Sequence, residues 1–330
     1  MNVIAYALAN PMAPGARGPW SSLEKWIRFG KKCPFHGTVE RALWGGFHAD
    51  RLGYAFAAGY RAALSDLCDE VAKKQNVASP FPDPPLPDVV ALAATESGGA
   101  HPRAIQTRLE KEGGALVLRG EKTYTTLGTL ADELLVVASR GVEADGKNRL
   151  RVVRVPKNAA GMTITPRGET PFAPEIPHAL VRFDGVIVDP KMVLPGDGYD
   201  LWLKPFRTIE DIHVLAALTG YLLGTGRAYD WNRSVIAELT SLAVALVDLG
   251  ARDPTAALTH VLLAGTFGLT RRLIAGLDES WAVVPEEERT RWERDRALLL
   301  VAESARSKRT EAAWKLVVDN AIDSTRSATK

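Results

Sequence analysis

The sequence predicts an α+β fold with an N-terminal helical segment, a central antiparallel β-barrel or sandwich domain, and a C-terminal four-helix bundle. Three changes of pattern support this prediction. Apolar residues recur at helical spacing up to about residue 76, alternate as in strands from 89 to about 195, and return to helical spacing after about 207. We therefore expect three domains, at residues 1–88, 89–200 and 201–330.

The first domain is expected to be helical. Between His48 and Lys74 the apolar residues follow at spacings of three and four, which places them on one face of a helix. These residues are Leu52, Phe56, Tyr60, Leu64 and Leu67. The proline-rich stretch SPFPDPPLPD, residues 79–88, comes next. Because proline breaks helices and inner strands, we place the first domain boundary there.

The second domain is expected to be built from short strands. Seven segments combine β-branched residues with alternating polarity, and glycine, proline or polar clusters separate most of them. They are DVVALAAT (88–95), AIQTRLEK (104–111), ALVLRGEKTYTT (115–126), ELLVVASRG (133–141), RLRVVRVP (149–156), MTITPRG (162–168) and HALVRFDGVIV (178–188). The absence of helical patterns between them favours antiparallel pairing.

The third domain is expected to contain four long helices. In the first helix, Thr208 is the predicted N-cap and Asp211 its capping-box partner. Two helices follow near 231–250 and 254–277, and a fourth begins at Pro285 with acidic residues in its first turn. Wide apolar faces on these helices predict a homodimer or tetramer packed through the bundle. The residues concerned are Leu215, Leu218, Leu222, Leu223, Val244, Leu246 and Leu249.

Composition narrows the possible functions. The 330 residues are 46% hydrophobic and 24% charged, with a formal net charge of +2. This small charge gives no reason to expect a nucleic-acid partner, and no apolar run is long enough to span a membrane. With only two cysteines and no signal-peptide pattern, we expect a cytoplasmic protein. The histidines and cysteines form no metal-ligand pattern, so no metal site is predicted. No dinucleotide or Walker glycine motif is present.

Two motifs of the second domain resemble the signature of the acyl-CoA dehydrogenase family. The first is an apolar strand that ends in Thr-Glu and is followed by a glycine turn and a Thr. The second is an alternating hairpin that ends, in the family, in the sequence Gly-x-Lys-x-Trp-x-Thr-Asn. The matching pieces are Thr95–Glu96, Gly98–Gly99, Thr107, Gly120–Thr126 and Ala131–Asp132, and the stretch VRFDGVIVDPKMVLPGDG fits the segment that leads into the family's bundle. The resemblance covers about residues 40 to 320 and implies the family's three-part fold.

The resemblance also implies a bound FAD and its contacts. In the family, the Thr after the apolar strand bonds the pyrimidine edge of the flavin, and the aromatic residue and Thr of the second motif lie against the ring. Carried over, these residues are Thr95, Tyr124 and Thr126, with Ala94 beside the ring. A flavin needs flat apolar cover and a few fixed polar groups, which these residues supply. The alternative is that they only close the sheet, because Thr and Tyr are common in strands.

Several departures from the family pattern fall at the expected cofactor site. The glycine turn lacks the usual Ser, and His101 or Arg103 could replace its contact with the FAD pyrophosphate; an ordinary exposed turn is the alternative. Tyr124 stands for the usual Trp, and Leu127 for an Asn. The Arg-x-x-Phe-Gly loop after the first bundle helix and the later Gly-Gly turn are not visible. The sequence ends at Lys330, before the segment in which many members carry the catalytic Glu.

The family offers a second position for the catalytic base, at the start of the first bundle helix. Alignment places Glu210 there, with Asp211 where the family has Arg. Glu210 would remove the α-proton of an acyl thioester while a hydride leaves the β-carbon for the flavin. The alternative is a first-turn carboxylate favoured by the helix dipole. Glu96 lies within the first motif, where a structural role is expected.

Three functions follow from these observations. The first is an FAD-dependent dehydrogenase acting on an acyl-CoA or another acyl thioester. The second is a degenerate member that has lost FAD or catalysis and acts as a binding or partner subunit. The third is a flavin monooxygenase or nitroalkane-oxidase relative with the same fold. Fold alone does not choose among them.

Overall fold

The computed structural model describes residues 1–10, 12–81 and 87–328, with backbone only at residue 300 and at 320–328. The described chain forms two units. The helical unit comprises Met1–Ala63, Pro171–Ala173 and Thr208–Lys330, and the sheet unit comprises Leu64–Thr170 and Pro174–Arg207. The three predicted domain boundaries stay a prediction. Part of the proline-rich stretch, residues 82–86, lies outside the described residues.

Within the described residues, ten α-helices and seven strands follow one another along the chain. The helices are α1 (Val3–Ala9), α2 (Leu23–Gly30), α3 (Thr38–His48), α4 (Leu52–Gln75), α5 (Lys204–Ala228), α6 (Arg233–Gly250), α7 (Ala257–Ala275), α8 (Asp278–Ala282), α9 (Glu286–Asp295) and α10 (Glu303–Ala328). The strands are β1 (Val90–Ala93), β2 (Arg108–Glu112), β3 (Ala115–Thr126), β4 (Glu133–Val142), β5 (Asn148–Pro156), β6 (Met162–Pro166) and β7 (His178–Val188). The predicted α+β class is confirmed, with helices on both sides of the strands in sequence.

The seven predicted strands form one sheet with the order β1-β4-β2-β3-β7-β6, and β5 pairs with β4. Most neighbours are antiparallel, as predicted, but β1 and β2 each run parallel to β4. The β2–β3 hairpin lies between β1 and β4 in sequence and supplies the long connection that parallel pairing needs. The inner faces of these strands form a continuous apolar core that includes Leu118, Leu134 and Phe183.

In the helical unit, α5 packs very closely against α3. A Cβ at Gly220 would lie 2.2 Å from the carbonyl oxygen of Leu43, and one at Gly46 would lie 1.8 Å from that of Ala217. Only glycine permits backbones to approach this closely. The predicted stripe on α4 is also present, because Leu52, Tyr60, Leu64 and Leu67 are buried and Phe56 is half-buried.

Two predictions for the last helices need correction. The predicted fourth bundle helix starts as expected, with Pro285 at the N-cap of α9 and three glutamates in its first turn. It then breaks, because a 3-10 turn at Arg296–Leu300 and a left-handed Ala302 (φ +65°) separate α9 from α10. The apolar residues proposed for an intermolecular face are covered within the chain, except Val244, which is 52% exposed. The buried ones are Leu215, Leu218, Leu222, Leu223, Leu246 and Leu249.

Candidate functional site in the sheet unit

The predicted flavin-contacting residues meet where β1 ends beside β3. Thr95 forms an isolated antiparallel bridge with Tyr124, and its carbonyl oxygen accepts a hydrogen bond from the Thr123 amide at 2.9 Å. Thr126 lies two residues further along β3. The structure therefore brings Ala94, Thr95, Tyr124 and Thr126 together at one end of the sheet.

A register shift changes which side chains face outward at this end. Between Lys122 and Thr125, β3 contains one more residue than the facing part of β7. Lys122 and Thr125 are buried, whereas Thr123 and Tyr124 are both half-buried instead of alternating. An extra residue in one strand re-aims its side chains in this way. Tyr124 and Thr126 consequently both reach the partly open face of the sheet.

Two residues that the sequence did not identify surround Tyr124. The ring of His178 stacks on the Tyr124 ring, with centroids 4.2 Å apart. The Arg167 guanidinium lies over the same tyrosine, 5.3 Å from its centroid, and donates to the carbonyl of Thr123. Both residues lie within predicted strands, but their position beside Tyr124 depends on the register of β6 and β7. That register is not visible in the sequence.

One ring nitrogen of His178 is available for a hydrogen bond. Its Nδ1 is buried and, within the described residues, has no hydrogen-bond partner. Burial and the nearby charge of Arg167 lower the pKa of His178 to about 4, so the ring is neutral at neutral pH. A buried polar atom of this kind is usually paired. Its presence next to Tyr124 and Thr126 marks this face as a place where a ligand group could bind.

A buried ion pair fixes the strand ends from the inner side. Lys122 Nζ lies 2.6 Å from Glu96 Oε1 and 3.4 Å from the carbonyl oxygen of Ala94. The Glu96 carboxylate also accepts from the backbone amides of Gln106 at 2.7 Å and Thr107 at 3.1 Å. The structural role expected for Glu96 therefore has a geometric basis.

The two members of this pair have shifted pKa values. Burial lowers the pKa of Lys122 to about 8, although the Glu96 carboxylate opposes the shift. Burial raises the pKa of Glu96, but the charge and hydrogen bond of Lys122 and the two backbone amides together lower it below its ordinary value. Glu96 is therefore ionised at neutral pH.

His101 lies apart from these contacts, in the loop after the glycine turn. It is exposed, and its Nδ1 accepts from the Arg103 amide at 3.2 Å at the start of a 3-10 turn, Pro102–Ala104. Arg103 is also exposed. A residue that the sequence missed holds this loop, since Arg207 Nη2 donates to the carbonyl of Ala100 at 2.9 Å. A phosphate contact from His101 stays a prediction.

A polar cavity of about 610 Å³ borders the same loop. Its wall includes Ser97, Gln106, Thr123 and Arg182. The Thr107 hydroxyl, which also lines the cavity, is fully buried and has no partner among the described residues. The sheet unit thus offers polar groups beside the glycine turn as well as around Tyr124.

Glu210 lies in the helical unit, on α5, and is half-buried. The predicted N-terminus of this helix is wrong. A π-helical turn, Gly198–Leu203, runs directly into α5, and Asp197 caps that turn through the amides of Tyr199 and Asp200. Thr208 is consequently a buried residue within the helix. Glu210 is the seventh residue of α5, beyond the first turn in which the helix dipole acts on a carboxylate.

Asp211 is held by two arginines of α10. Its Oδ1 accepts from Arg306 Nη1 at 3.0 Å, and its Oδ2 accepts from Arg309. Arg306 also lies over the Phe267 ring, 4.3 Å from its centroid. The capping-box role predicted for Asp211 is therefore replaced by a contact that joins α5 to α10.

Comparisons with known proteins support the resemblance stated above. Residues 91–186 match the model of the acyl-CoA dehydrogenase middle domain. No curated protein matches the chain. Solved structures share its fold at low identity. They include butyryl-CoA dehydrogenase from Megasphaera elsdenii, with 15% identity, 94% of this chain and 89% of that chain covered, and a TM-score of 0.61.

Two further structures show the same likeness. A glutaryl-CoA dehydrogenase from Mycobacterium smegmatis in complex with FADH2 has a TM-score of 0.63 at 15% identity, with 94% of this chain and 92% of that chain covered. The prolyl acyl carrier protein oxidase AnaB has a TM-score of 0.62 at 16% identity, with 96% of each chain covered. The resemblance is thus confirmed: residues 91–186 match the middle domain of the acyl-CoA dehydrogenase family, and the chain shares its fold with solved structures of that family. Among the residues described, no helix is long and apolar enough to cross a membrane.

Proposed function

We propose that this chain is an FAD-dependent oxidoreductase that forms a double bond between the α and β carbons of an acyl thioester. The observation that carries the proposal is the meeting of Thr95, Tyr124 and Thr126 at one end of the sheet. The solved structures of similar fold include dehydrogenases of acyl-CoA substrates and an oxidase whose substrate is held by a carrier protein. The substrate class common to them is an acyl thioester.

The residues at this end of the sheet fit a flavin. Thr95 and Thr126 are half-buried hydroxyl residues, and His178 has a buried ring nitrogen without a partner in the described chain. Hydroxyl and imidazole groups can donate to the carbonyl oxygens of a flavin or accept from its N–H group. Tyr124 is already stacked on His178, so it would support the ring as part of a two-ring surface.

Each part of the chain has a defined task in the proposed reaction. FAD, when bound, supplies the acceptor for the hydride of the β-carbon. Thr95 and Thr126 orient the cofactor through their hydroxyls, and Ala94 and Tyr124 cover its ring. Glu210 takes the proton from the α-carbon onto a carboxylate oxygen, which needs a pKa suited to that transfer. His101 would contact the pyrophosphate beside the glycine turn.

The visible absorption spectrum of freshly purified protein tests the cofactor. The proposal expects a yellow protein with a flavin band, or a colourless one that acquires the band when FAD is added. The midpoint temperature of thermal unfolding should rise with added FAD, because a ligand that binds only the folded state stabilises it. A colourless protein that gains neither a band nor stability from FAD would show that the flavin proposal is wrong.

Glu210→Gln tests the catalytic base. In a single-turnover experiment with an acyl-CoA, this variant should reduce bound flavin at least about a hundredfold more slowly than the parent, as is usual when a general base is removed. Because the substitution keeps size and shape, FAD affinity should not change. Glu238→Gln, at an exposed position of α6, is the matched control. Equal rates in the parent and the Glu210 variant would contradict the assignment.

One observation supports the alternative in which the chain has lost FAD or catalysis and acts as a binding or partner subunit. The Asp211 position, where the resemblance expects an Arg, is engaged by Arg306 and Arg309. A chain that binds FAD but does not reduce it with any acyl thioester would favour a binding or partner subunit. A chain that reduces FAD with a nitroalkane or consumes oxygen to hydroxylate a substrate would instead favour the third function.

The proposal also includes self-association as a homodimer or tetramer and a cytoplasmic location. α7 exposes leucines at helical spacing, Leu258, Leu262 and Leu269, each more than a third exposed, which supports a homodimer or tetramer. The two free cysteines agree with a cytoplasmic protein. Light scattering should give two or four times the mass of one chain at micromolar concentration. The mass of a single chain would contradict the assembly.

A further inference from the structure

The neighbourhood of Thr95 contains a contact pattern that the proposed cofactor contacts do not explain. Lys122, fully buried, reaches the residues on both sides of Thr95: the carbonyl oxygen of Ala94 and the carboxylate of Glu96. Side chains alternate across a strand, so an anchor on the inner side through Glu96 turns the Thr95 side chain toward the other face. Thr95 is half-buried, as this orientation requires.

The same carboxylate also sets the position of the following loop. Glu96 accepts from the amides of Gln106 and Thr107, ten and eleven residues further along the chain. Its backbone pairs with Gly99 in both directions, at 3.1 Å and 2.8 Å. The glycine turn is thus closed at its base by one side chain. Lys122 pairs with Glu96 and lies on β3, so it connects the glycine turn to the strand that also contains Tyr124 and Thr126.

We propose that Lys122 and Glu96 are positioning residues of the cofactor site, which hold Thr95, the glycine turn and β3 in the geometry that FAD binding requires. This inference rests on the proposed function. Neither residue touches the cofactor; both act through the backbone of Ala94, Thr95 and Gly99. Compared with apolar residues of the same volume, a buried ion pair contributes little net stability, but it can specify one geometry. We assign this specifying role to the Lys122–Glu96 pair.

The sheet unit contains a second buried ion pair that serves as a control. Arg154 Nη2 lies 2.8 Å from Glu133 Oε2, and the two side chains are 2% and 7% exposed, against 0% and 7% for Lys122 and Glu96. Glu133 lies opposite Val90, at the start of β1, whereas Thr95 follows its end. The control pair is therefore matched in burial and unit, and it lies at the opposite end of β1 from Thr95.

The test compares Lys122→Met/Glu96→Gln with Arg154→Met/Glu133→Gln. Each double variant removes both charges of its pair. FAD is titrated into cofactor-free protein by flavin fluorescence, and thermal unfolding is measured on the same samples. We expect the Lys122/Glu96 variant to bind FAD at least about tenfold more weakly, equivalent to about 1.4 kcal/mol. We expect the Arg154/Glu133 variant to bind it as the parent does.

The visible spectrum of bound flavin gives an independent result. A change in polar contacts at the flavin edge alters the shape of its absorption band, and only the Lys122/Glu96 variant should show this change when saturated with FAD. If this variant does not fold, Lys122→Arg provides a second variant, which keeps the positive charge but changes the geometry of its contacts with Glu96 and Ala94. Equal affinity and spectrum in parent and variant overturn the positioning role while leaving the proposed function intact.

Two other outcomes also decide the matter. Equal losses of affinity in both double variants would assign the effect to general destabilisation and overturn the positioning role. A parent protein that binds no FAD overturns the proposed function, and the inference with it. The results that overturn the positioning role therefore differ from the result that overturns the proposed function.

Discussion

The sheet unit and the helical unit use their buried polar groups in different ways. At the end of the sheet, an ion pair on the inner side holds strands whose outer side presents hydroxyls and an unpartnered imidazole nitrogen. In the helical unit, polar side chains of turns bond to residues of helices. Arg17 donates to Thr225 at 2.6 Å, and Tyr229 donates to Glu288 at 2.6 Å. The sheet end thus combines an inner ion pair with polar groups on a partly open face, whereas these two contacts of the helical unit hold its parts together.

The two units also differ in what they share with known proteins. The sheet unit contains the residues that match the acyl-CoA dehydrogenase middle domain, 91–186, and its motif residues form connected contacts. No Arg-x-x-Phe-Gly sequence follows α5, and Asp211 belongs to an ion-pair network within the helical unit. Substitutions at the packing contacts of the helical unit should therefore change stability, whereas those at the sheet end should change cofactor affinity.

The largest effect is expected where α5 touches α3. Gly220→Ala places a methyl group 2.2 Å from the carbonyl oxygen of Leu43, so the helices must separate. Overpacking of this kind should lower the free energy of unfolding by about 3 kcal/mol. Urea unfolding followed by far-ultraviolet circular dichroism measures it.

A second glycine provides the control for this substitution. Gly265 lies on the exposed face of α7, and a Cβ there meets nothing within 4 Å. Gly265→Ala should raise the free energy of unfolding by about 0.5–1 kcal/mol, since alanine loses less backbone freedom in a helix. If both alanine variants were equally stable, the close contact between α3 and α5 would be absent.

The next effect concerns Asp211. Asp211→Ala leaves Arg306 and Arg309 without their shared carboxylate, and all three side chains are mostly buried, at 15–21% exposure. We expect a loss of about 2 kcal/mol in urea unfolding, between the values for exposed and fully buried pairs. Asp248→Ala, which breaks the exposed Arg252 pair on α6, should cost about 0.5 kcal/mol or less. Equal losses would show that the Asp211 pairs are as weak as a surface contact.

The strand pattern and the motif spacing allowed the sheet end to be predicted, but not its detailed contacts. The seven strands follow from local alternation, which a sequence displays directly. The stacking of His178 on Tyr124 depends on a register shift between β3 and β7, a long-range property. Leu127 illustrates the same limit. Its backbone is left-handed, with φ +59°, a conformation that Asn, the residue implied there by the resemblance, tolerates better than Leu.

The helical unit was harder to predict for a related reason. The apolar period runs through residues 286–320 without glycine or proline, so no local signal in the sequence marks the break at Ala302. The start of α5 was misplaced because Thr208 and Asp211 have the types and spacing of a capping box. Tertiary contacts override this local signal, since Thr208 is buried and Asp211 binds α10.

A smaller effect, on cofactor affinity, is expected at the sheet end. Thr126→Val removes a hydroxyl and keeps the shape, so FAD binding should weaken by about 1–2 kcal/mol while stability changes little. Tyr124→Ala should weaken it further through lost ring area. Thr163→Val, at an exposed position of β6, is the control. Flavin titrations that are the same for all three variants would assign these residues a purely structural role.

The smallest effect is a pH dependence that originates inside the helical unit. His213 on α5 is fully buried, and its Nδ1 bonds the Ile209 carbonyl at 2.7 Å. Its Nε2 has no partner among the described residues. Burial lowers the pKa of His213 to about 4, so the folded protein keeps the ring neutral where the unfolded chain, with a pKa near 6.5, takes up a proton.

Between pH 6.5 and pH 4 the unfolded state therefore binds more protons, and stability must fall as the pH falls. For His213 this loss is about 1 kcal/mol between pH 6.5 and pH 5.5. Urea unfolding at both pH values should show a smaller loss for His213→Gln than for the parent, whereas His36→Gln, at an exposed position, should behave like the parent. If His213→Gln kept the full pH dependence, the ring would already titrate in contact with water. The interior of the helical unit would then be open to a ligand, and the contrast with the sheet unit would not hold.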